Sequence, residues 1–265
     1  MSMNTVLTIA GSDPSAGAGI QQDLKTITFM GLYALTVPTA LTAQNTRGVQ
    51  RVMAVPEDMV LSQLESIFDD IRVDAVKIGM IPDLACARAV TSMLRCRNLP
   101  VVYDPVMVST SGYPLMREDC MEYVIGELFP LCTLMTPNIP ESEVILKYMG
   151  HEVKSSEDFT MKAGELFVEH FNTSFLLKGG HAEGEIMRDV LFSKDGTIHE
   201  FQTERIHTSN LHGTGCTLSS AIACGLAAGF SLQDSVQQAK SLIYKSIAAA
   251  REVKIGSGNG PLILA

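Results

Sequence analysis

Apolar runs of strand length alternate with segments of helical period along almost the whole chain. Val6–Ala10 reads as a buried strand that stops at Gly11. The segment after it, from about Gly17, puts Ile20, Leu24, Ile27 and Met30 on one helical face. Leu35–Leu41 predicts a second strand, in which Pro38 demands an edge or a bulge because proline donates no ladder hydrogen bond. Pro56 opens a helix at its first turn, and Val60, Leu64, Ile67, Phe68 and Ile71 form its apolar stripe.

The same alternation predicts strands at Ala75–Met80, Val101–Val106, Leu134–Pro137 and Phe175–Lys178. Helices are predicted at Asp83–Arg97, Glu118–Phe129, Pro140–Met149 and Ser156–Phe171. Two further strands fall near Val190–Ser193 and Ile198–Arg205, and long helices at about Gly213–Ala228 and Leu232–Arg251 end the pattern. Alternating β and α segments imply an α/β fold with a central, mostly parallel sheet covered by helices on both faces. No linker, charge block or repeat divides residues 1–265, which read as one domain. Ligands of such sheets lie beyond the carboxyl ends of the strands, so the chemistry should be sought there.

Those ends form a coherent set. After the first strand comes Gly11-Ser12-Asp13-Pro14-Ser15-Ala16-Gly17-Ala18-Gly19, which matches neither a P-loop nor a dinucleotide fingerprint. It reads either as a tight turn or as a turn to which Asp13 adds a functional carboxylate. His212-Gly213-Thr214-Gly215-Cys216 opens a helix, where free N–H groups and the dipole favour an anion. Cys216 in that turn is either a small buried hydrophobe or a thiol lowered towards a thiolate base. Asn138 and Glu141 at another strand-to-helix turn suit either a helix cap or the water shell of Mg²⁺, and Asp104 lies at the same sheet edge. Lys178 offers a cation for phosphate. Gln44 could read a ring nitrogen and an exocyclic amine together, with Met80 and residues Val106, Met107 and Val108 against the ring faces.

Charge and cysteine content narrow the partners. The net charge of −9 argues against long polyanions such as nucleic acid, though not against a single phosphate held by backbone N–H groups. Six cysteines lie without C-x-x-C pairing or zinc-ligand spacing, as free thiols of a reducing cytoplasm would. Met1–Asn4 runs straight into a strand-like segment, and Leu218–Phe230 is too short to span a bilayer. Neither a secretory leader nor a membrane span is expected.

Taken together, TIAGSDPSAGAGIQQDLKT, TALTAQNTRGVQ, KIGM, DPVM, TPN-x-x-E, LLKGGH and HGTGCTLSSAIA resemble the hydroxymethylpyrimidine and hydroxymethylpyrimidine-phosphate kinases of thiamine biosynthesis. The resemblance covers nearly the whole chain. It implies a ribokinase-like, three-layer αβα fold, ATP as donor, Mg²⁺, a homodimer, and a small-molecule alcohol as substrate. It places ring reading on Gln44, ring packing on Met80 and on Val106 or Met107, and a substrate-side acid on Asp23. Gly11 joins that substrate-side group. The anion hole and base fall on Gly213, Thr214, Gly215 and Cys216. Phosphate or ATP contacts fall on Lys178 and Asn138, and metal contacts on Glu141 and Asp104. Cysteine at the base position marks the vitamin-kinase branch, and pyridoxal or pyridoxine kinase is the alternative activity. Ala16 and Gln22 depart from the resembled motif, in which glycine and a small residue are common.

Overall fold

The computed structural model describes residues 3–107, 113, 115–151, 159–179 and 184–265. The predicted strands at Leu35–Leu41 and Ala75–Met80 appear as β2 (Tyr33–Asn45) and β4 (Ala75–Ile78), flanking β1 (Thr5–Ser12). The others are β5 (Val101–Tyr103), β6 (Leu134–Met135), β7 (Ser174–Leu177), β8 (Ile186–Phe192) and β9 (Ile198–Glu204). One further strand, β3 (Gly48–Ala54), escaped the sequence reading. It pairs with β2 on one side only, and its half-exposed Gly-Val-Gln-Arg-Val-Met-Ala has no continuous apolar run to betray it.

Among the described residues, nine strands form one sheet in the order β3-β2-β1-β4-β5-β6-β7-β8-β9. Pairs from β2 through β1, β4, β5 and β6 to β7 are parallel, and the outer pairs are antiparallel. The chain leaves β1 to one side for β2 and returns to its other side for β4, so the strand order switches at β1. That is where an open α/β sheet opens a crevice. Pro38 lies where the β1–β2 register shifts, and β3 begins pairing only at Ala40, so no neighbour misses its N–H.

Helices cover both faces. One core packs α2 (Glu57–Asp70), α3 (Leu84–Leu94), α5 (Ile139–Tyr148) and α6 (Phe159–Phe171) on the sheet. Around Tyr103, Phe129, Phe167, Phe171 and Phe175 this core is aromatic. The other core packs α1 (Gly19–Phe29), α7 (Thr214–Ala227) and α8 (Leu232–Ala250). The start predicted for α6 at Ser156 lies outside the described residues. The helix predicted at Glu118–Phe129 is α4 (Glu118–Tyr123) running on into a π turn and a short 3₁₀ turn ending at Leu131.

The stripe predicted for α1 is corrected. Leu24 is exposed, and the buried face is Gln22, Asp23, Thr26 and Ile27. Polar residues turn inward because Asp23 finds a complete set of partners there. Lys77 Nζ on β4 lies 2.9 and 2.8 Å from its two oxygens. Thr8 on β1 donates to it at 2.6 Å and Ser220 on α7 at 2.8 Å. Both ions are 0% exposed, so the pair pins α1 and α7 onto the sheet at the switch point.

Candidate active site

Two clusters flank the start of α7. The first stands at the ends of β5, β6 and β7. Asp104 Oδ1 accepts from Lys178 Nζ at 2.7 Å and from Thr136 Oγ1 at 3.1 Å. Lys178 keeps its charge despite burial because Asp104 and Glu141 face it and raise its pKa. A side chain on Gly215 would come within 2.8 Å of Asp104 Oδ2, so glycine is what lets the helix start lie against this ion pair. Gly213, the N-cap of α7, has φ +88°, and a Cβ there would lie 2.0 Å from the Gly17 carbonyl. The N–H of Thr214 is taken by the Leu211 carbonyl at 3.3 Å, and those of Gly215 and Cys216 open beside a fixed ammonium, an arrangement suited to a phosphoryl group.

Asn138 and Glu141 form a reciprocal cap of α5. The Asn138 side chain accepts from Glu141 N at 2.8 Å, and Glu141 Oε2 accepts from Asn138 N at 2.8 Å. Of the two roles open to this pair, the structure fills the cap. Glu141 is only 7% exposed. Burial pushes its pKa up to about 7, with the charge of Asp104 adding and that of Lys178 opposing. Among the described residues no group of three or more His, Cys, Asp or Glu side chains is placed to cage a metal. Two nearby carboxylates, one strained by burial, still suit Mg²⁺, which takes one or two carboxylates and fills its octahedron with phosphate and water oxygens.

Cys216 is half-buried at the first turn of α7. Burial pushes its thiol up to about 11, with Asp23 and Asp104 adding, while Lys77 and a hydrogen bond from Gly19 only partly offset them. Desolvation and the two carboxylates thus oppose any lowering that the helix start supplies. The expectation for Asp23 is corrected. Its carboxylate is fully buried and saturated by Lys77, Thr8 and Ser220, so it supports α7 from below rather than meeting substrate.

The second cluster stands at the ends of β1, β2 and β4. Asp13 organises the first loop. Its Oδ1 accepts from Ser15 N and Oγ at 2.8 and 2.7 Å, and its Oδ2 from Ala18 N at 3.0 Å and His212 Nε2 at 2.9 Å. In that loop Ala16 has φ +59°, the left-handed region where the resembled kinases commonly place glycine. Gln44, half-buried at the end of β2, reaches the same imidazole. The sulfur of buried Met80 packs on Gly11, and its carbonyl is held by Thr39 Oγ1 at 2.7 Å. Val106 stays half-exposed, and Met107 is buried to about the same degree as Met80 and packs into the core. Val108, Gly180 and His181 lie outside the described residues.

Sequence reasoning did not single out His212 or Lys77. Lys77 was only a letter in the Lys-Ile-Gly-Met strand end, and His212 only the residue ahead of a glycine motif. Their partners lie 54 and 199 residues away, so no local pattern marks them.

An open sheet whose strand ends gather a helix start, an ammonium and paired carboxylates defines a phosphotransferase of the αβα class. The profile described as phosphomethylpyrimidine kinase matches residues 13–263. A hydroxymethylpyrimidine/phosphomethylpyrimidine kinase of Rhizobium meliloti (strain 1021) is 43% identical, over 97% of this chain and 95% of its own. Among solved structures, phosphomethylpyrimidine kinase from Clostridium difficile 630 superposes with a TM-score of 0.79 at 39% identity, covering 92% of this chain and 99% of that one. An ADP complex of Bacillus subtilis pyridoxal kinase superposes with a TM-score of 0.87 at 31% identity, over 98% and 97%. The chain belongs to the phosphomethylpyrimidine kinase family, and its sheet is that of the ribokinase-like kinases.

Proposed function

We propose that the protein transfers the γ-phosphoryl group of ATP to the hydroxymethyl group of 4-amino-5-hydroxymethyl-2-methylpyrimidine. A second transfer then makes the diphosphate that thiamine biosynthesis uses. The observation that carries this reading is the pairing of a ring-reading amide, Gln44, with the helix start at Gly213–Cys216 beside Lys178. The pyrimidine is read by Gln44 and packed by Met80 and Val106, with Gly11 forming the floor. Its hydroxymethyl group is thereby aimed at the phosphoryl group held by Gly213, Thr214, Gly215 and Lys178. Stabilising charge on that group is the main demand of phosphoryl transfer. ATP as donor is supported by the family and by the ADP complex of the pyridoxal kinase neighbour. Asn138 retains its side-chain NH₂ for the nucleotide, since the cap uses only its oxygen. A test of the whole reading is ADP release from ATP with this pyrimidine and with pyridoxal, measured side by side.

Pyridoxal phosphorylation is the second reading, favoured by the higher TM-score to the pyridoxal kinase. Gln44 separates the two. Gln44→Leu should weaken the aminopyrimidine by about 1–3 kcal/mol through the unpaired ring amine, and should weaken a ring lacking that amine much less. Calorimetric dissociation constants would report this, and equal losses would make Gln44 structural.

Mg²⁺, held by Glu141 and Asp104, would neutralise the nucleotide's phosphates. Because Glu141 carries its proton up to about pH 7, a cation arriving at lower pH must displace it. With ADP present, Mg²⁺ should therefore raise the melting temperature more at pH 8 than at pH 6. Glu141→Gln keeps an oxygen for the α5 cap and should abolish the difference. A Mg²⁺ effect that is independent of pH would remove Glu141 from the metal site. No helix among the described residues is long and apolar enough to cross a membrane. A cytoplasmic homodimer, as the resemblance implies, completes the proposal, and sedimentation would report the dimer.

A further inference from the structure

His212 Nε2 lies 2.9 Å from Asp13 Oδ2 and 3.2 Å from Gln44 Nε2. The two contacts conflict. Burial pushes the pKa of Asp13 up, but hydrogen bonds from His212 and Ser15 outweigh it and hold the carboxyl below its usual range, so Asp13 is ionised. An anionic oxygen at 2.9 Å needs a hydrogen on Nε2, whether the imidazole is neutral or charged. The amide NH₂ of Gln44 then aims a donor at a donor. A bare Nε2 would accept from Gln44 but would turn its lone pair on Asp13.

A second conflict lies at the other end of the same amide. Thr42 Oγ1 has one hydrogen and two acceptors in reach, the Ser12 carbonyl at 3.0 Å and Gln44 Oε1 at 3.1 Å. One half-turn of the amide resolves the Thr42 conflict and turns the donor–donor contact into an attractive one. Oε1 then shares the single hydrogen of His212 Nε2 with Asp13 Oδ2 in a three-centre bond, and the Gln44 amino group donates to Thr42 Oγ1, whose own hydrogen goes to Ser12. The frame that sets these spacings is tied together by residues Gly258–Gly260. Gly258 N and Asn259 N donate to Thr46 just beyond Gln44, and the Gly260 carbonyl accepts from His212 N at 3.1 Å. The imidazole also packs on Gly17 of the first loop.

We propose that His212 and Asp13 are a positioning pair that locks the Gln44 amide with its oxygen towards the imidazole and its amino group towards Thr42, and so dictates which ring edge the site accepts. This rests on the reading that Gln44 meets the ring. A primary amide offers two acceptor positions and two hydrogens. His212 takes one acceptor position and Thr42 one hydrogen. One acceptor and one donor remain side by side, the complement of an exocyclic amine next to a ring nitrogen. The lock also fixes the ring's handedness: the amine lies on the His212 side and the ring nitrogen on the Thr42 side. A freely turning amide would accept the amine on either side.

Long-range ¹H–¹⁵N NMR of the unliganded protein reads the lock without substrate. The His212 signal, identified by its loss in His212→Gln, should show a hydrogen on Nε2. A ring protonated only on Nδ1 would overturn the lock. Calorimetry then reads its consequence. In His212→Leu, the preference for the aminopyrimidine over its analogue lacking the amine should fall roughly tenfold. His212→Gln, which returns a donor near the Nε2 position, should restore most of it. His212→Leu added to Gln44→Leu should cost little more than Gln44→Leu alone, because the two residues act as one unit. Equal weakening of both rings by His212→Leu, or additive losses, would reduce His212 to a structural residue. An unchanged amine preference in Gln44→Leu would instead overturn the ring reading of Gln44, an outcome that the ligand-free tautomer measurement keeps separate.

Discussion

Lys77→Met is expected to destabilise the protein by about 3–5 kcal/mol, the usual effect of leaving one member of a buried ion pair without its partner. Among the described residues, Lys77 is the one cation hydrogen-bonded to Asp23. Thr8 and Ser220 each supply one neutral hydrogen bond, and no water reaches a carboxylate with 0% exposure. The strand that carries Lys77 and the helix that carries Asp23 would be driven apart where the sheet opens its crevice. The double variant Lys77→Met with Asp23→Asn removes both charges; the asparagine oxygen still accepts from one of Thr8 and Ser220, and its NH₂ donates to the hydroxyl of the other. It should recover most of the loss, because replacing both members of a buried pair is often near neutral. Urea midpoints of the two variants report the difference. A single variant no less stable than the double would show that the pair's charge contributes nothing to holding α1 and α7 on β4.

The same pair shows why the sheet was easier to read than the site. Strands such as Ala75–Ile78 and helices such as Glu57–Asp70 declare themselves within a dozen residues, through apolar runs and a 3.6-residue stripe. The reading of α1 failed because its buried face follows a distant charge rather than a local stripe. Asp23 turns inward to meet Lys77, and Leu24 is left to solvent. Strand β3 was hidden for the opposite reason, as a half-exposed edge needs little apolar surface.

Within the site, local motifs found the right places but not the state of their groups. The glycines of Gly213–Gly215 marked a close approach, and Gly215 indeed lies against Asp104 and Lys178. Asn138 and Glu141 carried a capping signature as legible as a metal one, and the cap is the geometry that formed. The Cys216 thiol could not be judged from its turn, because its pKa is set by burial and by Asp23, Asp104 and Lys77 from three other parts of the chain.

Cys216→Ala is expected to slow the first phosphoryl transfer about 10²–10⁴-fold, the usual contribution of a positioned proton acceptor, and to slow the second transfer far less. The first acceptor is an alcohol, whose proton must leave as the new P–O bond forms. The second acceptor is a phosphate monoester, already ionised at neutral pH because its second pKa is near ~6. It has no proton to give up. The raised thiol pKa of the unliganded protein sharpens this test. With the thiol at about 11, only roughly one molecule in 10⁴ carries a thiolate at pH 7. A base of that strength predicts a first-transfer rate that climbs with pH through 7–9, while the second stays flat above pH 7. Cys216→Ala should remove the slope along with the rate. Single-turnover measurements of each isolated step across that range, followed by phosphorus NMR, would read both quantities. Equal losses in the two transfers, with the slope kept, would make Cys216 a wall of the anion site. The alcohol's proton would then leave late, after the loose transition state has formed, without a side chain to take it.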